Sequence, residues 1–233
     1  EGVAMVHNLI LGAFTMVGSG VDNWVDGREQ RRYTPYHIRH RTEVAGMMTI
    51  LHGDNRFYNN IFVQGHPITN EEPKESPFYQ QVGTHVWDEY PTYKEWIAKF
   101  DMEEEKPDMG KLEPAHFSHL PVWADGNVYL AGAKAWKKEK HNLVKDDADV
   151  QIELLEEDGQ YRLSTNLYDY LDGFTTGIIN SDVLGKAFEP EQRFEERDGS
   201  DIVFQSDYLG NHRGVSTIPG PFADVKELDE VIW

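Results

Sequence analysis

The sequence predicts an all-β chain, and three features predict it. Short apolar runs and runs of alternating apolar and polar residues recur along the chain, while helical periodicity is confined to one stretch. An Asn-led unit returns three times, as Asn8-Leu9-Ile10-Leu11-Gly12, Asn60-Ile61-Phe62-Val63-Gln64-Gly65 and Asn127-Val128-Tyr129-Leu130-Ala131-Gly132. Aromatic residues reach 12%, and such side chains suit strands, although flat rings equally suit sugar faces. The Asn-led unit is one that parallel β-helices use, with an Asn at a coil corner bonding its stacked neighbours before a short strand. Its irregular spacing leaves a generic sheet equally open.

In order along the chain, residues 3–12 read as a strand, and residues 18–30 as a Gly- and Asp-rich loop. Because the chain opens within a strand at Glu1, a missing part is expected upstream. Arg31 to Arg41 follow as a basic, aromatic segment, and Val44 to Leu51 read as a buried strand. Residues 66–119 are polar and loop-rich except at Pro91 to Phe100. There Tyr93, Trp96, Ile97 and Phe100 fall at helical spacing behind the starters Pro91 and Thr92. The acidic run 103–105 reads as a solvated loop. From about residue 149 the texture changes. Val150, Ile152 and Leu154 alternate with polar residues, Asp158-Gly159 turns, and Tyr161 and Leu163 alternate again, which signals a hairpin. Residues 1–148 are therefore read as later coils of a parallel β-helix with long loop insertions, and 149–233 as carboxy-terminal β-structure that closes the domain.

Charge narrows the partners. With 41 acidic against 22 basic residues the formal net charge is −19, a field that repels phosphate backbones and anionic lipid. Nucleic acid and membrane surfaces are poor partners, whereas a neutral sugar is indifferent to that field. The absence of cysteine excludes disulfides, zinc–thiolate sites and cysteine nucleophiles, and favours a cytoplasmic setting without fixing it.

Chemically capable side chains concentrate in residues 31–58, where Tyr36, His37, Arg39, His40, Glu43, His52 and Asp54 lie around a predicted strand. Glycoside hydrolysis needs two carboxyl groups flanking the scissile bond. Glu43 and Asp54 are the pair set among apolar and aromatic neighbours. The plainer reading pairs Glu43 with Arg39 or Arg41 and makes Asp54 a cap for the Gly53 turn. His37 and His40 lack the further ligands of a catalytic metal site, and no HExxH motif occurs. Asp146, Asp147 and Asp149 lack the Gly and terminal Glu of a calcium loop, which leaves room only for a structural calcium. Gly18-Ser19-Gly20 is no nucleophile elbow. His212-Arg213 reads as a surface turn or a pocket wall. Trp87, Trp96, Trp123 and Trp136 are either core or sugar platforms.

Three longer strings carry a resemblance. Arg32-Tyr33-Thr34-Pro35-Tyr36-His37 and the run Val44 to Phe62 form the first. Gly126-Asn127-Val128-Tyr129 with Gly132-Ala133-Lys134, and Leu184 to Glu195, form the others. In these strings the chain resembles the β-xylosidases of glycoside hydrolase family 120. The resemblance implies a right-handed parallel β-helix with additional β-sandwich-like structure, and a retaining, exo-acting hydrolase that releases xylose from xylo-oligosaccharides without a cofactor. In that family the nucleophilic Asp lies in a Trp-Leu-Asp-Trp-like string and the acid/base Glu in a Glu-Val-Asn-His-Gly-like string. Neither string occurs here, so no catalytic residue is assigned and the reacting pair is expected on an amino-terminal portion of the same protein. Tyr36, His37, Arg39, His40, Glu43, His52 and Asp54 are then expected to contribute to sugar binding. A homo-oligomer is compatible with this reading. A non-catalytic carbohydrate-binding or scaffold module, or a lyase on a similar fold, stays open beside it.

Overall fold

The computed structural model describes residues 2–14, 24–29, 33–65, 80–100, 115, 117–188, 191–223 and 228–233. In chain order the strands are β1 (Val3–Val6), β2 (Leu9–Ile10), β3 (Trp24–Val25), β4 (Arg28–Glu29), β5 (Tyr33–His37), β6 (Val44–Thr49), β7 (Asn55–Tyr58), β8 (Ile61–Val63), β9 (Val122–Asp125), β10 (Asn127–Leu130), β11 (Asn142–Lys145), β12 (Ile152–Glu157), β13 (Gln160–Thr165), β14 (Thr176–Gly177), β15 (Lys186–Ala187), β16 (Gln192–Arg193), β17 (Ser216–Thr217) and β18 (Leu228–Val231). The helices α1 (Tyr93–Ile97) and α2 (Ser181–Leu184) are short, and the chain is all-β.

Two parallel sheets form the centre. In one, β7 lies between β1 and β9, with Val3 beside Asn55 and Asn55 beside Val122. In the other the order is β2, β8, β10, β11, so that Leu9, Ile61, Val128 and Leu143 align, as do Ile10, Phe62, Tyr129 and Val144. The three Asn-led units of the sequence supply β2, β8 and β10. Each successive strand pair bends from one sheet to the other through a tight corner. His7, Asn59 and Gly126 take positive φ there, at 57°, 56° and 71°. At Gly126 a Cβ would lie 2.3 Å from Asn59 Oδ1, so this corner also needs a residue without a side chain.

Asparagines stitch the corners together as the repeat anticipates. Asn60 Oδ1 accepts from the backbone N and Nδ2 of Asn8, at 2.9 and 3.0 Å. Asn127 Oδ1 does the same for Asn60, at the same two distances. The remaining amide hydrogens reach back to carbonyls, Asn60 Nδ2 to Met5 and Asn127 Nδ2 to Phe57. Corner backbone groups that a tight bend would orphan are thereby satisfied.

Strands covered on both faces read as unbroken apolar runs, and Ile61–Val63 and Val128–Leu130 are buried throughout. One cluster takes Phe57 and Val122 from the first sheet and Phe62 and Tyr129 from the second. Phe62 stacks on Tyr129 with centroids 5.0 Å apart. Ile61, Val63, Val128 and Leu130 point the other way, against Leu163, Leu167, Tyr168, Leu171 and Phe222. Tyr58, Val6 and Trp123 of the first sheet meet Ile179, Leu184, Phe194 and Phe204. Residues from 163 onward thus cover the outward faces of both sheets, each large apolar side chain contributing roughly 1.5–3 kcal/mol.

Local expectations fare unevenly. The 152–165 hairpin forms with Glu157 opposite Gln160 across Asp158-Gly159, whose φ values of 52° and 77° fit a type I′ turn. Helix α1 starts behind Thr92, which caps Glu95 N while the Glu95 carboxylate accepts from Thr92 N. Of its predicted apolar face, Trp96 is buried while Tyr93 and Ile97 are exposed. The run from Val44 is not a buried strand. Among the described residues it becomes β6, paired antiparallel with β5 alone, and Val44 and Met47 lie 58% and 60% exposed. A two-stranded hairpin without a covering layer buries neither face. Within the predicted 18–30 loop, β3 and β4 make a short hairpin over Asp26-Gly27. The Gly18-Ser19-Gly20 stretch and the 103–105 run lie outside the described residues.

Candidate functional site

The predicted cluster divides between two anchor points on one distant segment. The β5–β6 hairpin carries a bulge at Tyr36/His37 and a compact tip, where Ile38 N donates to Glu43 O and Arg41 N to Ile38 O. His40 holds φ at 57° in that tip, and His37 Nδ1 lies 3.1 Å from Thr42 O. The tip docks through Gln192 Nε2, which donates to His37 O at 2.7 Å. Arg39 Nη1 and His40 Nε2 hold the two oxygens of Glu195, at 3.1 and 2.8 Å. Glu195 is the screened partner, its side chain 9% exposed.

The second anchor begins at Gly53. With φ at 121°, its missing Cβ would lie 2.3 Å from Leu120 O, so the chain passes there only as glycine. Asp54 follows with φ at 54° and is fully buried. Its Oδ1 takes a 2.6 Å bond from Arg56 Nη1 and its Oδ2 accepts from Phe188 N at 2.8 Å. Arg56, 2% exposed, also donates to Leu184 O through Nε and to Lys186 O through Nη2, each at 2.6 Å. Its guanidinium lies 4.2 Å from the Trp123 ring centroid and 4.8 Å from that of Phe194. Residues 184–195 therefore receive both anchors. The plain expectation of Asp54 as a turn cap gives way to a buried ion pair, and Arg39 turns to Glu195 rather than Glu43.

Other predicted residues stand apart. Tyr36 lies over Gly46, where a Cβ would come within 2.9 Å of its ring. Glu43 is exposed at the hairpin tip. His52 Nδ1 is 2.5 Å from Tyr90 Oη, on the side of the fold where Tyr90 stacks on His119. Arg213 is buried and donates to the carbonyls of Ile218 and Gly220, so it clamps the chain, while His212 is exposed. Trp87, Trp96 and Trp136 are core residues, and Trp123 alone of the four is half-buried. Among the described residues no group of three or more His, Asp or Glu side chains is placed to hold a metal, and no helix is long and apolar enough to cross a membrane.

Sequence reasoning gave no role to Glu195, Arg56 or Glu139, although Arg56 lies within the 31–58 cluster. The first two sit within strings that carry the resemblance, but nothing local marks them as partners of His40 and Asp54. Glu139 ends the asparagine column. Its Oε1 accepts from Asn127 N and Nδ2, at 3.2 and 2.8 Å, and its Oε2 from Tyr129 Oη at 2.6 Å. Tyr129 Oη is also 2.7 Å from Thr84 Oγ1. Burial pushes the Glu139 carboxyl up to about 7 against the pull of these donors. His7, at the first corner, bonds Gly220 O through Nδ1 and Asn59 Nδ2 through Nε2. Burial, reinforced by the nearby Arg213 charge, lowers it to about 3 and keeps it neutral.

No protein-family model matches the sequence, and no curated protein matches it either. Among solved structures the chain is similar to the complex of XylC with xylose, at 29% sequence identity and a TM-score of 0.77. The likeness covers 99% of this chain and 32% of that one, so the chain spans about a third of the length of the protein it resembles.

Proposed function

We propose that this chain forms the later coils of a right-handed parallel β-helix in a retaining, exo-acting β-xylosidase of the family 120 type. Residues 1–148 are those coils and 149–233 the β-structure that closes them. The reacting Asp/Glu pair lies on an amino-terminal portion of the same protein. The observation that carries this reading is the likeness to the XylC–xylose complex across 99% of the chain. The asparagine column agrees with it, since β2, β8 and β10 repeat one corner and one register.

Within this reading the hairpin tip, with Tyr36, His37, Arg39, His40 and Glu43, forms part of the wall around the sugar, and 184–195 holds it in place. Asp54 acts at one remove, because both of its oxygens are engaged by Arg56 and Phe188. His52, which stands apart from the tip beside Tyr90, would contribute to sugar binding from its own side of the fold. The hydrolysis takes no cofactor, and a calcium would serve structure only. A cytoplasmic setting and homo-oligomerisation belong to the same proposal.

One observation favours a second reading. Asp54 is spent on Arg56 and Glu195 on Arg39 and His40, so these two carboxylates serve the chain itself. A carbohydrate-binding or scaffold module would look the same. Incubating the complete protein with xylobiose and xylotriose decides between them: release of xylose supports the hydrolase, and binding without release supports the module.

A further inference from the structure

We propose that the cavity between α1, β9 and the turn after α2 binds a neutral pyranose ring. It measures about 560 Å3, within the roughly 300–1,000 Å3 of small-ligand sites. Its walls include Tyr93, Trp123, Leu184, Lys186, Phe188 and Glu191, over a floor made by Arg56.

Three features select the ligand. First, the aromatic wall is pre-set. Trp123 is pinned by the Arg56 guanidinium 4.2 Å from its centroid, and Tyr93 lies 6.4 Å from Trp123 with ring planes 25° apart. Tyr93 is 48% exposed, so a helix residue offers a bare ring at the rim. The C–H face of a pyranose meets the negative face of such a ring favourably.

Second, the formal charges cancel among the described lining residues and Asp54. Arg56 is neutralised by Asp54, and Lys186 and Glu191, both in the lining, carry opposite charges. A phosphate or nucleotide would need an uncompensated cation. Third, Lys186 and Glu191 supply a donor and an acceptor beside apolar Leu184 and Phe188. A purely apolar ligand would strip water from both ions without replacing it, whereas a polyol ring satisfies them and still presents carbon to the aromatics. That the sugar is a xylose unit rests on the xylosidase reading above. That it is a neutral sugar rests on the cavity alone.

The test uses the complete protein labelled with 5-fluorotryptophan, the Trp123 signal being assigned with Trp123→Phe. A thio-linked xylobiose, which resists hydrolysis, is titrated in while fluorine spectra and heats of binding are recorded. The Trp123 signal is expected to shift, and Tyr93→Ala with Lys186→Ala to weaken that binding by about tenfold. Both substituted side chains are exposed, so the fold persists, and a thermal melt checks it. A Trp123 signal that stays fixed at saturating sugar, or an unchanged affinity in the double variant, overturns the proposal. Hydrolysis of an aryl xyloside is followed in parallel. Turnover with a fixed Trp123 signal removes the cavity proposal and leaves the xylosidase. A moving signal without turnover does the reverse.

Discussion

Asp54 and Arg56, two residues apart on the rim of β7, share a 2.6 Å bond with almost no exposure to solvent, and through it they hold a turn some 130 residues away. Arg56 lies within β7, while Asp54, with φ at 54°, sits in the turn just before it, so the pair closes between turn and strand. The carboxylate bonds Phe188 N and the guanidinium bonds Leu184 O and Lys186 O, so each ion is solvated by the same distant segment.

Removing one member leaves a buried charge without its counter-ion. Asp54→Ala or Arg56→Met is expected to cost about 3–5 kcal/mol of unfolding free energy, and the double variant less than the sum of the two. Denaturant titration of the four proteins measures the coupling. Additive losses would mean that the pair does not act as a unit.

The asparagine column makes a second prediction. Asn60→Ala strips the acceptor from Asn8 N, the donor from Met5 O and one partner from Asn127 Oδ1, with Asn60 itself fully buried. A loss of about 3 kcal/mol is expected, because several buried groups go unpaired at once. Hydrogen exchange checks the mechanism: the amides of β2 and β8 should lose protection before those of β12 and β13.

Glu139 and His7 write opposite pH signatures. The folded-state value of Glu139, about 7, lies above its ordinary 4.5, so between these values the native state holds a proton that the unfolded chain has released. Its stabilising share is present below about 4.5 and lost as pH rises towards 7, on the order of 3 kcal/mol in all. His7, lowered to about 3, acts the other way: stability is lost as pH falls from 6.5 towards 3. The two slopes offset each other near pH 5–6. Glu139→Gln removes one of them, and its stability is expected to rise with pH across that window where the wild type is nearly flat. Unfolding curves at several pH values read this out, and parallel profiles would contradict it.

The hairpin tip supplies a prediction about turnover. In the complete protein His40→Ala is expected to lower kcat/KM for xylobiose about tenfold or more, since the tip then loses the shorter of its two bonds to Glu195. Glu195→Gln, which keeps the shape and weakens both bonds, should fall between wild type and His40→Ala. Unchanged kinetics in both variants would retire the hairpin from the sugar wall.

Much of the fold was legible because it is written locally. The Asn-led units mark β2, β8 and β10, since one residue type solves one corner problem each time. Thr92 and Glu95 announce α1, and Asp158-Gly159 announces the β12–β13 turn. The candidate site was legible only as a list. Nothing near His40 points to Glu195, or near Asp54 to Phe188, because those bonds close across more than half the chain. The exposure of β6 was hidden for a related reason: Val44 to Leu51 is apolar enough for a core, yet among the described residues no layer covers the β5–β6 hairpin at Val44 and Met47. Glu139 was missed because the column ends on a different residue type from the one that defines it.

The most direct test of the xylosidase account is proton NMR of the complete protein acting on xylotriose, watching the anomeric signals in the first minutes. A retaining exo-hydrolase releases xylose whose β-anomer appears first and then mutarotates. First appearance of the α-anomer, or xylotriose bound and returned uncut, would contradict it.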